Sequence, residues 1–126
     1  MGEMGAVSAE LAEALARTAG MSCAICDRDA VIAAAGGVKK DILERSISSE
    51  LEQLMERREC YERGADEQPE VLISSQDGCA EAPIITDGDV SGCVAFVSEK
   101  EDEKADEVLL KLCQSAAQFL SKRIAV

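Results

Sequence analysis

An Asp-Gly turn between two β-rich segments constrains this chain more than any other feature. Residues 82–86 read APIIT, residues 90–98 read VSGCVAFVS, and Asp-Gly-Asp at 87–89 joins them. Asp-Gly between such segments favours a tight β-hairpin. Residues 93–97 are apolar at every position, which is typical of a strand that is covered on both faces. The sequence therefore predicts a hairpin with this strand at the centre of its sheet.

The rest of the chain predicts short helices and strands that do not alternate regularly. We expect helices over 8–19 (with Ser8 as N-cap and Gly20 as the stop), 38–43, 49–59 (from the capping-box spacing of Ser49 and Glu52) and 103–123, strands over 22–26, 30–35 and 71–74, and loops over 62–70 and 75–81. This order favours an α+β fold with a mostly antiparallel sheet over a parallel βαβ array. A length of 126 residues predicts one domain, 1–126.

Composition excludes several classes of function. The chain carries 25 acidic and 13 basic residues, for a formal net charge of −12, and only 2% of its residues are aromatic. Such a surface repels phosphate backbones, so we expect no direct nucleic-acid binding by this chain. No apolar run long enough for a membrane span and no export signal are visible, which predicts a cytoplasmic protein with reduced thiols.

The Cys-x-x-C at Cys23 and Cys26 suggests a metal or redox site, but its predicted location in a strand argues against both. Residues three apart in a strand lie about 10 Å apart and point to opposite faces. The pair can then neither form a disulfide nor chelate one ion. The chain has no His to complete a zinc site. We predict no metal and no cofactor, and leave open a cross-strand site from Cys23, Cys79 and Cys93, with Cys79 in a loop.

The C-terminal helix has a wider apolar stripe than one sheet contact requires. Leu109, Leu112, Ala116 and Phe119 follow three- and four-residue steps. One interpretation is a well-buried core helix. The other, which we favour, packs one side on the sheet and the other on a second protomer. With Leu11 and Leu15 of the first helix, these residues are the candidates for a homodimer interface through the terminal helices.

Two stretches resemble a known family. Residues 25–58, ICDRDAVIAAAGGVKKDILERSISSELEQLMERR, resemble the C-terminal half of the stage V sporulation protein T family. Residues 82–98 are similar to the closing hairpin of GAF domains, and residues 116–124 to the terminal helix of the same sporulation family. The resemblance extends over roughly residues 8 to 124 and is most specific within the first of these stretches.

The resemblance implies a GAF-like (PAS/profilin-like) antiparallel sheet with the N- and C-terminal helices on one face and a ligand pocket on the other. Members regulate transcription in endospore-forming bacteria, and their AbrB-type DNA-binding half is absent from these 126 residues. The implied function is a small-molecule-sensing and dimerisation module with an unknown effector. Pocket candidates follow the second strand: Gly37, Lys39, Lys40, Ser46 and Ser48. The Gly-Gly-Val-Lys-Lys stretch that contains the first three is either an anion-holding turn or a solvated one.

Two alternatives use the cysteines. Some GAF domains reduce free methionine-R-sulfoxide, and Cys60, Cys79 and Cys93 are the residues that such an enzyme would use here. A redox or iron–sulfur switch through the cysteines is the other alternative. Against catalysis, the chain has no His to serve as a base, no nucleophile elbow and no phosphate loop, so we predict no catalytic residue.

Overall fold

A computed structural model describes residues 2–64, 69–99 and 107–124, with side chains over 5–64, 69–99 and 107–123. Four helices and six strands follow one another in these parts of the chain. Their order is α1 Gly2–Ala19, β1 Ser22–Cys26, β2 Val31–Ala35, α2 Lys39–Ile42, α3 Ser49–Glu56, β3 Tyr61–Glu62, β4 Val71–Ile73, β5 Gln76–Thr86, β6 Asp89–Val97 and α4 Glu107–Ile124. The predicted α+β class is confirmed.

The strands form one antiparallel sheet in the order β2-β1-β6-β5-β3, and β4 pairs with β5 off this path. Strand β6 lies between β1 and β5, and its residues 93–97 are all buried. The prediction of a central strand covered on both faces is confirmed. None of the helices in the described parts of the chain is long and apolar enough to cross a membrane.

The two predicted hairpins form where turn chemistry places them. At the β5–β6 turn, Asp87 and Gly88 have φ angles of 53° and 85°. Two left-handed residues in succession match the twist of the flanking strands, and Gly tolerates this conformation without a steric penalty. At the β1–β2 turn, the Asp27 carboxylate accepts hydrogen bonds from the backbone N–H groups of Asp29 and Ala30, both at 2.8 Å. Asp27 therefore holds this turn by closing a local ring with the backbone.

The sheet separates two hydrophobic layers. Helices α1 and α4 pack on one face, which we call the helix face; its core includes Leu15, Cys23, Phe96, Cys113 and Leu120. On the opposite face, which we call the covered face, α2, α3 and β4 pack over the sheet with Ile42, Leu51, Met55, Leu72 and Ile73. The terminal helices thus share one face, as expected.

Several predicted boundaries are wrong. Helix α1 begins at Gly2 rather than at residue 8, and Ser8 is a buried residue inside it rather than an N-cap. Ser48 rather than Ser49 caps α3, by accepting a hydrogen bond from the backbone N–H of Leu51 at 3.0 Å, and α3 ends at Glu56. Val7 packs against the helix-face core and Ser8 is fully buried, so tertiary packing carries the helix past its predicted start.

The predicted loop over 75–81 is also wrong, because β5 begins at Gln76. Asp77, Gly78 and Glu81 are poor strand formers, but pairing with neighbouring strands on both sides of β5 outweighs that preference. The loop predicted over 62–70 contains the end of the short strand β3, and part of it lies outside the described residues. The predicted start of the last helix, residues 103–106, also lies outside the described residues.

Candidate functional site

A row of paired residues from five strands crosses the covered face of the sheet. Ala34 on β2, Ala24 on β1 and Ala95 on β6 lie opposite one another, and the row continues to Glu81 on β5 and Tyr61 on β3. Directly paired residues in an antiparallel sheet point to the same side. The Glu81 side chain therefore points into the same layer as the apolar residues of α2, α3 and β4.

Glu81 is the least expected residue of this layer. It has no solvent exposure, and neither carboxyl oxygen has a hydrogen-bond partner among the described residues. Loss of hydration, followed by repulsion from Glu59, raises the pKa of the Glu81 carboxyl from 4.5 to about 8. The group is consequently protonated at neutral pH. A buried polar group without a partner is destabilising, so its presence needs an explanation other than stability.

The predicted anion-holding turn already holds a carboxylate of the chain itself. The backbone N–H of Gly37 donates to Glu99 Oε1 at 2.6 Å, and the Ser22 hydroxyl donates to the same oxygen at 2.6 Å. Lys39 and Lys40 lie beside this turn on α2, with exposed side chains. A ligand anion at this position would have to displace Glu99.

The other two pocket candidates lie between α2 and α3. Ser46 is exposed and forms an isolated β-bridge with Ala30. Ser48 is half-buried and its hydroxyl is the N-cap of α3. Their structural roles are thus clear, and their contact with a ligand stays a prediction.

An open cleft of about 460 Å³ lies where α3 meets the two hairpin turns. Its lining residues come from the β1–β2 turn, from α3 and the residues after it, and from the start of β6: Arg28, Asp29, Glu52, Met55, Glu56, Arg58, Asp89 and Val90. Met55 and Val90 belong to the covered-face core, and the other six carry charges. Arg28 and the acidic side chains of the cleft form no ion pair with one another in the described parts of the chain.

Arg58 fixes one wall of this cleft. It follows α3 in a left-handed backbone conformation, with φ of 55°. Its guanidinium Nη2 donates to the carbonyl of Gly88 at 2.6 Å, which ties the end of α3 to the β5–β6 turn. None of the five predicted pocket residues lines the cleft. The sequence pattern contained no spacing that would have indicated it.

The three cysteines of the predicted cross-strand site do not come together. Cys79 is buried in β5, which corrects its predicted loop position. Cys23 and Cys79 belong to the helix-face core, whereas Cys93 belongs to the covered-face core, so the cross-strand site is not formed. Cys60 is exposed and separate from both layers. No group of three or more potential metal ligands comes together in the portions of the chain that the structure describes.

Cys23 and Cys26 lie on opposite faces of β1, as strand geometry predicts. All six cysteines are free. Burial raises the pKa of the Cys23 and Cys113 thiols far above their ordinary value, and a hydrogen bond with Cys26, followed by burial, raises the pKa of Cys93. Because the thiolate is the reactive form, these buried thiols are poor nucleophiles.

The dimer-helix candidates divide into two groups. Leu15, Leu109 and Ala116 are buried in the helix-face core of the same chain. Leu11 and Leu112 are partly buried, and Phe119 is 44% exposed. The core-helix interpretation therefore explains the first group, and only the second group is available to a partner.

Comparison with known proteins identifies the family. The model of the family described as stage V sporulation protein T C-terminal, transcription factor, matches residues 3–125. The chain belongs to this family. It is 36% identical over 126 residues to stage V sporulation protein T of Bacillus subtilis (strain 168), a match that covers 97% of this chain and 69% of the relative. The stage V sporulation protein T C-terminal match spans the residues that line the cleft and those of both terminal helices.

Proposed function

We propose that this chain is a GAF-type regulatory domain that senses a small molecule and dimerises, in the control of sporulation transcription. Its membership of a transcription-factor family supports this role. The arrangement of terminal helices on one sheet face and a layer with an adjoining cleft on the other is the one expected of a GAF domain. The domain acts by binding rather than by catalysis, and its net charge of −12 argues against contact with nucleic acid.

The observation that carries the sensing role is the cleft between α3 and the hairpin turns. Its volume of about 460 Å³ falls in the usual range of ligand sites, roughly 300–1,000 Å³. The Arg28 guanidinium can donate two hydrogen bonds to a ligand carboxylate in a forked geometry, and the carboxylates of Glu52 and Asp89 can accept hydrogen bonds from a ligand ammonium group. Met55 and Val90 supply apolar contact. A small molecule that bears both a carboxylate and an ammonium group fits this lining.

Dimerisation is supported by an apolar seam along the outer sides of α1 and α4. Val108 and Phe119 are 59% and 44% exposed, and Leu11 and Leu112 are partly buried beside them. The Arg123 guanidinium lies 5.4 Å from the centroid of the Phe119 ring, so it covers only part of the seam. Exposed large apolar residues that adjoin one another are typical of an interface.

Ligand screening tests the sensing role. Thermal unfolding is measured with individual amino acids and with small anions and amines that carry only one kind of charge. We expect a compound with both charges to raise the unfolding temperature, and Arg28→Ala to abolish this shift. Lys111→Ala, an exposed cation on α4 outside the cleft, is the matched control. If no compound shifts the transition, the sensing role fails and only dimerisation remains.

Light scattering coupled to size exclusion tests dimerisation separately. We expect the unmodified protein to elute as a dimer and Phe119→Asp to elute as a folded monomer, because a charge in the seam is left unpaired when two copies pack. Lys111→Asp should remain dimeric. A dimeric Phe119→Asp variant would place the interface elsewhere, and a monomeric unmodified protein would remove the dimerisation role.

The structure does not bring together the three cysteines of the reductase alternative, and Cys26 and Cys93, which do contact each other, are buried away from an oxidant. Cys60, Cys79 and Cys93 lie in three separate environments: solvent, the helix-face core and the covered-face core. A reductase needs an exposed thiol with a second thiol in reach to resolve the oxidised form. We therefore do not propose either activity.

A further inference from the structure

A second groove, of about 530 Å³, lies at the edge of the sheet, between the last residues of β5 and α4. Strand β5 and the segment before β3 form one wall, and one side of α4 forms the other. The lining residues are Arg58, Cys60, Ala82, Pro83, Ile85, Gln114, Ala117, Gln118, Ser121 and Lys122. This groove is separate from the apolar seam of α1 and α4 and takes no part in the proposed dimer.

The β5 edge inside this groove is only partly able to pair with another strand. Strand β3 pairs with β5 at Ala80 and Glu81 alone, so in the described chain β5 has no strand partner on this edge from Pro83 onward. Pro83 has no N–H to donate. The Ile85 carbonyl already accepts a hydrogen bond from the Ser121 hydroxyl. A complete β-ladder is therefore blocked, and side chains must provide most of the recognition.

Those side chains are basic or neutral, in contrast with the rest of the protein. Among the described residues, the groove is lined by two cations, Arg58 and Lys122, and by no carboxylate, although the chain carries 25 acidic residues against 13 basic ones. The cations lie towards the β5–β6 turn, where Arg58 bonds to Gly88. Towards the other end, the Gln114 amide donates to Cys60 Sγ at 3.6 Å. An occupant with negative charge at one end complements this distribution.

We propose that the groove between β5 and α4 docks a short acidic segment of a partner protein. Its carboxylates bind at the Arg58–Lys122 end, and an apolar side chain packs on Pro83 and Ile85. The Gln114 amide is a donor for the segment's backbone carbonyls. This interaction uses a surface distinct from the cleft and the dimer seam, so it goes beyond sensing and dimerisation.

Fluorescence anisotropy with a labelled, end-capped peptide that alternates Glu and Leu tests the proposal. We expect the acidic peptide to bind, and the same peptide with Lys in place of Glu to bind at least about tenfold more weakly. Lys122→Glu should weaken binding of the acidic peptide by about tenfold or more, and added salt should weaken it for the unmodified protein. Lys111→Glu, the same charge reversal on the same helix but outside the groove, should leave the affinity unchanged.

Alkylation of Cys60 locates the bound peptide. Cys60 is exposed and the other five cysteines are buried, so a maleimide should react first at Cys60 in the folded protein. Bound acidic peptide should slow this reaction. Circular dichroism is the control for folding of Lys122→Glu, which changes an exposed position.

Five results would overturn the proposal, four of them in the binding and alkylation experiments. These four are the absence of binding by the acidic peptide, equal losses in Lys122→Glu and Lys111→Glu, an unchanged rate at Cys60, and equal binding of a free dicarboxylate, which would make the groove a small-anion site. A Lys122→Glu protein that loses its dimeric state would likewise show that a second copy occupies the groove.

Discussion

Replacing Glu81 with Gln should change how the stability of this protein depends on pH. The side chain is fully buried opposite Ala95 and Tyr61, and neither oxygen has a partner within the described residues. Burial and then Glu59 raise the pKa of the carboxyl from 4.5 to about 8. Glutamine is nearly the same shape but cannot titrate, so the comparison isolates the proton of Glu81.

The magnitude follows from proton linkage. Between the unfolded and folded pKa values, 4.5 and about 8, the native state binds one proton more than the unfolded state at this position. Stability from this group is complete below the lower value and is lost as the pH rises, by about 1.4 kcal/mol per pH unit. From about pH 5 to about pH 7, Glu81 should therefore remove roughly 3 kcal/mol from the free energy of unfolding.

Urea unfolding at several pH values measures this effect. The free energy of unfolding is compared between the unmodified protein and Glu81→Gln, so that the titration of all shared carboxylates cancels. The advantage of the variant should grow by roughly 3 kcal/mol from about pH 5 to about pH 7 and level off above pH 8. Glu81→Leu, a second variant without a titrating group, should show the same slope with a different offset. Glu59→Gln should make the loss level off at a lower pH and reduce its total size, because it removes the second cause of the raised pKa and leaves the unfolded value of 4.5, where the loss begins, unchanged.

Parallel pH profiles for the unmodified protein and Glu81→Gln would refute the reasoning. Glu81 would then be ionised in the native state throughout this pH range, and burial would not raise its pKa. A slope of the opposite sign would mean that the folded state stabilises the carboxylate. If Glu81→Gln and Glu81→Leu differed in slope, a change in other titrating groups would be responsible.

Two further predictions concern single contacts. Gly92→Ala places a Cβ 1.9 Å from the Cys26 carbonyl oxygen and should lower the free energy of unfolding by about 3 kcal/mol or more, whereas Gly5→Ala in α1, whose Cβ meets nothing within 4 Å, should raise it by up to about 1 kcal/mol. Urea unfolding that shows Gly92→Ala to be tolerated would contradict the close approach of β1 and β6. Ser48→Ala removes the α3 N-cap and should cost about 1 kcal/mol, and Ser49→Ala much less. Equal losses would contradict the assignment of Ser48 as the cap, and a larger loss in Ser49→Ala would favour Ser49.

Local signals in the sequence predicted the sheet centre and both hairpins. The uninterrupted apolar run at 93–97 and the turn residues Asp27 and Gly88 each determine the structure of the few residues around them. The start of β5 could not be predicted in this way, because Asp77 and Glu81 are polar and the strand is held by its neighbours. Cys79 was consequently placed in a loop although it is fully buried.

The choice between Ser48 and Ser49 shows how a distant contact decides a local ambiguity. Both residues precede α3, and Ser49 with Glu52 has the spacing of a capping box. The backbone N–H of Ser48 donates to the carbonyl of Leu72 at 2.9 Å. This bond to β4 sets where the chain turns into α3, so Ser48 and not Ser49 reaches the N–H of Leu51. Sequence spacing alone does not contain that information.

The candidate site was beyond sequence reasoning for the same cause. The predicted anion turn at Gly37 has the right local chemistry, but Glu99, 62 residues away, occupies its N–H. The cleft combines residues from the β1–β2 turn, from α3 and the residues after it, and from the start of β6, and no spacing motif links these segments.

Arg58 is the residue that connects the two proposed sites. It lines both the cleft on the covered side and the groove beside α4, and its bond to Gly88 ties both to the β5–β6 turn. If a ligand engages Arg58 from the cleft, it would change the charge available in the groove, and the two proposed sites would share a coupling free energy, equal in both directions. Sensing and partner binding would then be linked by one side chain and not by movement of the whole sheet.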